Sequence, residues 1–350
     1  MELFGNLTTE GVNNLVSPNE DARGDGGAAA MSVDPSRPQA RAGELALSIL
    51  AIPLNFQVLR ALSDRPMRLA ELRKTTGLPA QTTLRGHLAN LSDLGVLSKR
   101  PTQQMPYAVE NELTPMGWEL LEVAEQLQAW LSQAPDGPIS LENGAAKGAV
   151  KALIDGWGSR MMRALAARPL SLTELDSAIS DLSYPALERR LSSMRIAGLV
   201  EAQPSKGAGT PYAVTEWARR GVAPIAAASR CEQIHLGSKS APVTQLDIEA
   251  AFLLATPLVG LREPVAGLCQ LEVEPMPGLI SPPAGVQVVF ESGKVISCVS
   301  RLEPDPPAYA IGSAVKWFDA VRGGKVGELR FGGSRKIAED VVAGLHATFV

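Results

Sequence analysis

"LRALSDRPMRLAEL" spans Leu59 to Leu72, and "MRALAARPLSLTEL" spans Met162 to Leu175, 103 residues further on. Eight of the fourteen positions are identical. At the same offset Leu84, Leu88, Leu91 and Leu94 fall on Leu187, Leu191, Met194 and Ala197, and "LGVL" (Leu94–Leu97) falls on "AGLV" (Ala197–Val200). "PYAV" then occurs at Pro106 and at Pro211, with the offset changed by two. Solenoid repeats have periods of about 20–50 residues; this one is the size of a small domain. The chain reads as one domain written twice.

The first copy predicts a helix over about 45–63 with Leu54, Val58, Leu59 and Leu62 inward and Pro66 closing it. "RLAELRKTTG" (Arg68–Gly77) is a short second helix stopped by glycine, and "LPAQ" is a tight turn. "QTTLRGHLANLSDLG" sets leucines at i, i+4, i+7 and i+10, the stripe of a third helix ending at Gly95. "VLSKR" and "PYAVEN" alternate as a hairpin, and a closing helix starts at Thr114 and Pro115. Helix, helix, turn, helix, hairpin is the order of a winged helix-turn-helix. Such a unit offers the N-terminal half of its third helix to a major groove wide enough for one helix, with the hairpin beside it.

The second copy resembles the HxlR-type winged-helix transcriptional regulators of bacteria. The likeness rests on Trp157-Gly158 before an apolar helix, Gly198-Leu199-Val200 closing the helix-turn-helix, and Tyr212-Ala213-Val214-Thr215 after the wing. The first copy keeps Gly95-Val96-Leu97 and Leu113-Thr114, but has Leu54-Asn55 in place of Trp-Gly and extra residues between Tyr107 and Leu113. The resemblance covers residues 45–230. It implies double-stranded DNA as the partner, and two domains in one chain imply a built-in pseudo-dimer whose half-sites lie about 10 base pairs apart.

The residues placed to read DNA are Gln81, Thr82, Thr83 and Arg85 on the first recognition helix, with Lys99 and Arg100 in its wing. Arginine pairs bidentately with a guanine edge and glutamine with an adenine edge. The second copy offers Tyr184, Arg189, Arg190 and Lys206, but sets Glu188 where the first has Arg85, so the two copies are expected to read DNA unequally. His87 lies one turn beyond the reading end. The competing assignment for each arginine is a solvated surface group, and tandem winged helices also serve as protein-docking modules.

Net charge is −4, yet it is uneven: 146–235 carries +4, 41–132 is neutral, 1–40 carries −4 and 241–350 carries −3. Residues 1–40 read as a disordered tail, with Met31 as an alternative start. Ser132–Gly148 and His235–Thr244 read as linkers. The fold class expected is mostly α with small β wings: two tandem winged helix-turn-helix domains at 41–132 and 146–232, then an α+β domain at 243–350.

In that last domain "LDIEAAFLLATPLVGL" is a helix apolar on most faces, and "VQVVF-ESGK-VISCVS" is a hairpin turning at Ser292-Gly293. "GSAVKWFDAVRGG" is a helix with Val315, Phe318 and Val321 on one side, "VGELRFGG" is a strand, and a final helix is capped by Ser334. Its closing part, Ala314–Phe349, is similar to the end of sterol-carrier-like domains. That resemblance implies an apolar small-molecule ligand in a pocket lined by Phe252, Leu253, Trp317, Phe318 and Phe349. Ordinary core is the competing assignment for those five, and a homodimer contact is the competing use of the domain.

Cys231, Cys269 and Cys298 form no C-x-x-C, and three is an odd count, which argues against a disulfide framework and fits a reducing cytoplasm. No basic apolar leader opens the sequence, and the longest apolar stretch, Ala250–Leu261, is too short for a bilayer of about 20 helical residues. No cofactor or metal motif stands out, and His87, His235 and His346 lie in three different units. The expectation is a cytoplasmic, non-enzymatic, sequence-specific DNA-binding regulator. The alternative is a docking or lipid-binding protein whose winged helices leave DNA alone.

Overall fold

Proline breaks the first helix in two. The computed structural model describes residues 41–101, 109–156, 160–179, 182–205, 207, 209–261, 263–276, 278 and 281–350. Where one helix is expected over about 45–63, α1 (Glu44–Leu50) and α2 (Pro53–Asp64) meet at 85°. Pro53 is at the first turn of α2, where its missing N–H costs nothing, and its ring drives Ile52 to an extended φ of −96° and ψ of 111°. After β1 (Met67–Arg68) come α3 (Leu69–Thr75) and α4 (Gln81–Asp93), then β2 (Leu97–Pro101), β3 (Val109–Leu113) and α5 (Pro115–Leu131). The hairpin is a three-stranded sheet in the order β1-β3-β2. The second "PYAV" strand's first copy, at Pro106–Ala108, lies outside the described residues.

The turn between α3 and α4 closes with Leu78 N–H on Arg73 O at 2.8 Å, over Gly77 at φ 81° and Leu78 at φ 59°. Arg73 Nε also donates to Pro79 O at 2.9 Å, so α3 holds the turn from its own last turn. Leu78 is 62% exposed, gains little from packing, and is a leucine in left-handed backbone. Leu78→Asn is expected to stabilise the fold by about 0.5–1 kcal/mol, measured by urea unfolding. A loss of stability would show that Leu78 packs in solution.

The second copy runs α6 (Ala145–Gly156), α7 (Arg160–Ala167), α8 (Leu172–Ala178), α9 (Tyr184–Ile196), β4 (Val200–Ala202), β5 (Tyr212–Val214), α10 (Glu216–Arg220) and α11 (Val222–Leu236). Trp157-Gly158 lies outside the described residues. The two copies share hydrogen bonds as well as letters. Glu71 takes Arg68 N–H and pairs with Arg65 at 2.9 Å; Glu174 takes Ser171 N–H and pairs with Arg168 at 3.0 Å. Val96 N–H reaches Leu91 O and Leu199 N–H reaches Met194 O, both at 2.9 Å. Thr114 caps α5 and donates to Gly95 O at 2.6 Å; Thr215 caps α10 and donates to Gly198 O at 2.8 Å.

Those backbone amides and arginines hold both glutamates below their ordinary value of 4.5, Glu174 down to about 2. A depressed folded-state pKa adds stability above the unfolded value and loses it as pH falls through the folded one. Glu71→Gln/Glu174→Gln should therefore lose less stability than the parent between about pH 5 and about pH 2. Parallel slopes in urea unfolding would place both caps outside the folded-state ledger.

The copies are joined along α5 and α11. Trp130 at the end of α5 stacks on Trp217 of α10, centroids 4.2 Å apart and planes 6° from parallel. Each indole N–H donates to the other residue's backbone carbonyl at 2.8 Å. Buried Glu232 of α11 accepts from Gly43 N–H at 2.9 Å and Ala46 N–H at 2.8 Å, seating the start of α1. Gly43 has φ 84°, and a Cβ there would lie 2.9 Å from Ser229 Oγ, so only glycine lets α1 approach this closely. His235 Nε2 and Glu119 Oε2 add a 2.7 Å contact. The expected linker is pinned too: Leu141 is buried, and Gln128 bonds Ile139 O and Leu141 N.

The third segment is a five-stranded sheet, β10-β9-β6-β7-β8, covered on one face by α12 (Gln245–Ala255) and α14 (Arg335–Phe349). β6 (Gly267–Val273), β7 (Ala284–Glu291) and β8 (Lys294–Val299) are antiparallel, while β9 (Ala308–Gly312) runs parallel to β6. Ser292 at φ 50° and Gly293 at φ 75° make the two-residue turn read from sequence. Other expectations need correcting. Val315 of α13 (Ala314–Gly323) is 65% exposed, because it stands about 120° around the helix from Val321; Trp317 takes the inward place. The strand expected over "VGELRFGG" is confined to β10 (Arg330–Gly333), and Ser334 stands at the N-cap of α14 without a side-chain capping bond. Arg163–Glu249 at 3.0 Å and Arg219 donating to Leu253 O at 2.8 Å fasten this segment to the second copy.

Candidate nucleic-acid interface

Helix α4 buries Leu84, Leu88 and Leu91 and so turns its other side outward. Gln81, Thr82, Thr83 and Arg85 are all exposed on that side, in the first turn and just past it. Lys99 and Arg100 are exposed on β2, where Lys99 pairs in register with Asn111 and Arg100 with Glu110. In the second copy α9 buries Leu187, Leu191 and Met194 and exposes Tyr184, Glu188, Arg189 and Arg190. Lys206 lies outside the described residues. The described candidates on α4 and α9 are thus exposed near the N-terminal ends of those helices.

Among the described residues, exposed Arg73, Lys74, Lys147, Lys151 and Lys316 lack a carboxylate within 4.0 Å, whereas many arginines have one. Arg60, Arg65, Arg68, Arg163, Arg168, Arg220, Arg330 and Arg335 each have a carboxylate within 4.0 Å. Among the described residues, Arg85, Lys99, Arg189 and Arg190 have none, and Arg100 meets Glu112 only at 3.9 Å. An unpaired exposed cation keeps its field and gives up no partner when a phosphate approaches. Glu188 on α9 remains a carboxylate on the same surface, which weakens the second copy's attraction for phosphate.

His87 is not simply a surface group. It turns inward so that Nδ1 lies 2.8 Å from Asn55 Oδ1, and Asn55 is buried and donates through Nδ2 to Ile49 O at 3.0 Å. Because that amide's nitrogen is committed, its oxygen accepts, and His87 carries its proton on Nδ1. Burial pushes the imidazole below its ordinary value and so favours its neutral form. Its structural role is to fasten α4 to α2. Sequence reasoning also missed Arg195, whose guanidinium stands 5.3 Å from the Tyr212 ring centre and ties α9 to its wing. The signal was present in the tyrosine of "PYAV", but the pairing is tertiary.

The five residues expected to line an apolar pocket are packed as core. Phe252, Phe318 and Phe349 border a cavity of about 30 Å³, the share of a single water. Leu253 and Trp317 are buried; Trp317 meets Phe252 edge-on at 4.7 Å and donates to Glu272 O at 2.7 Å. In this conformation the cavity has no room for a lipid.

Cys231, Cys269 and Cys298 are buried, and burial pushes their thiols up to about 12, about 12 and about 11. Thiolate is the reactive form. Iodoacetamide at neutral pH should therefore leave the native chain unmodified and label all three sites in urea. Fast native labelling would show that a core segment opens. No group of metal-binding side chains and no single helix long and apolar enough to cross a membrane occurs among the described residues.

Residues 54–136 match the family described as HxlR-like helix-turn-helix. That span runs from α2 to just past α5 and includes Gln81–Arg85, Lys99 and Arg100. No curated protein matches the chain.

Proposed function

We propose that this chain is a sequence-specific DNA-binding transcription regulator that uses both copies as reading heads. The observation that carries the reading is the set of unpaired, exposed side chains on α4 and α9, each at the reading end of its helix-turn-helix. The family match over 54–136 supports DNA binding for the first copy. The shared capping and turn hydrogen bonds support the same fold for the second. Arg85 and Gln81 read base edges, while Lys99 and Arg100 hold phosphate. The second head leans on Arg189 and Arg190 and is tempered by Glu188.

Because Trp130, Trp217 and Glu232 lock the copies together, the spacing of the half-sites is a property of the folded chain. Tethering supplies the second head at high effective concentration. The third segment, fastened through Arg163, Arg219 and Glu249, braces the second head. The test is selection of bound duplexes from a random pool by the wild type, by Arg85→Ala and by Arg190→Ala. Two half-sites at one spacing are expected, each variant relaxing a different one. A pool without enriched sequence, or one half-site lost to both variants, would contradict the reading.

A further inference from the structure

A groove of about 380 Å³ runs between α6 and α9 of the second copy. Its α9 wall carries Arg189, Arg190 and Ser193; Met194 and Leu182 supply apolar surface, and Asp155 of α6 stands among the lining. Ligand sites span about 300–1,000 Å³ and combine apolar walls with a few convergent polar groups. At the corresponding positions, 103 residues earlier, the first copy carries different side chains. There Ile49 stands where the second copy has Ala152, Ile52 where it has Asp155, and His87 where it has Arg190. His87 turns in onto Asn55, and Ile49 is 4% exposed. The second copy thus has a smaller side chain on one wall and a cation on the other, where the first has neither.

We propose that this groove binds a small organic anion with an apolar body, and that its occupation competes with DNA for Arg189 and Arg190. Two guanidiniums without a carboxylate partner and a hydroxyl attract one carboxylate. The apolar patch takes a ring or short hydrocarbon, and Asp155 disfavours a second negative charge. Both arginines belong to the face assigned above to DNA, so each guanidinium drawn to the ligand is withdrawn from phosphate. Only differential affinity for the two states is needed to release DNA. The binding half of the proposal stands without DNA; the competition half rests on the DNA-binding reading.

The experiment is calorimetry of the full chain with benzoate and with its neutral isostere benzamide. Each is also titrated into the protein–DNA complex at constant ionic strength. Wild type should bind benzoate saturably below about 1 mM and benzamide at least about tenfold more weakly. Ala152→Ile, which restores the first copy's residue, should weaken benzoate about tenfold while keeping DNA affinity and melting temperature. Arg189→Gln/Arg190→Gln, changed at two exposed positions where a substitution costs little stability, should also lose benzoate. Benzoate should raise the apparent Kd for DNA in the wild type and not in Ala152→Ile. Absent or non-saturable benzoate binding by the wild type, or wild-type benzoate affinity in both Ala152→Ile and the double glutamine variant, would overturn the site. Saturable binding without change in DNA affinity would overturn the competition. A chain that bound no DNA without benzoate would instead refute the DNA reading, and calorimetry would still decide the groove.

Discussion

Arg85→Ala is expected to weaken binding to the selected duplex by about 1–3 kcal/mol and to relax one base position. Arg85 is exposed, has no carboxylate within 4.0 Å among the described residues, and stands one turn into α4, whose buried side is leucine. Its removal leaves no buried group unsatisfied, so the fold should be unchanged within about 0.5 kcal/mol. A bidentate guanine contact is lost, and one base loses its preference. Lys99→Ala should behave differently: a phosphate contact carries no sequence, so all duplexes weaken alike and the salt slope falls by about one. Equal losses on selected and random DNA from both changes would remove Arg85 from the base-reading set.

Trp217→Ala should cost about 3–5 kcal/mol in urea unfolding, the largest single-residue effect expected here. The change removes a buried aromatic, its stack on Trp130, and one of two reciprocal indole bonds. Trp130 O loses the indole donor and keeps Gln133 N–H, 3.1 Å away. Trp217→Phe keeps most of the ring and should cost roughly 1–2 kcal/mol. If the two heads work through a fixed spacing, Trp217→Ala should also tolerate altered half-site separations that the parent rejects. Destabilisation below about 1 kcal/mol would mean that the copies are held elsewhere, with Glu232 the first alternative.

The duplicated phrase and the stripes of α4 and α9 were legible because leucine at helical spacing and glycine at a helix end are local signals. The exposure of Gln81, Thr82, Thr83 and Arg85 on α4 followed from the same periodicity. What escaped was decided at a distance. Pro53 sits inside an apolar run that reads as one helix, and only the 85° turn shows it as a first-turn proline. β1 is two residues long and exists because Met67 and Arg68 meet Asn111 and Glu110 across the chain. β9, "AYAIG", lies between prolines and Ser313 and becomes a strand by pairing with β6 and β10. His87 looked like a surface group, but it turns in to donate to the side-chain oxygen of buried Asn55. The apolar residues of α12 and α13 suggested a pocket, but apolar side chains line a cavity or fill a core with the same letters, and here they fill it.

The most direct test of the central claim is a salt series on purified protein, with the selected duplex and a random duplex of equal length. Unpaired cations on two heads predict a log–log slope steeper than that of Arg85→Ala/Lys99→Ala, and a preference of about 10³ or more for the selected site. A flat slope with no preference at low salt would mean that neither α4 nor α9 meets DNA.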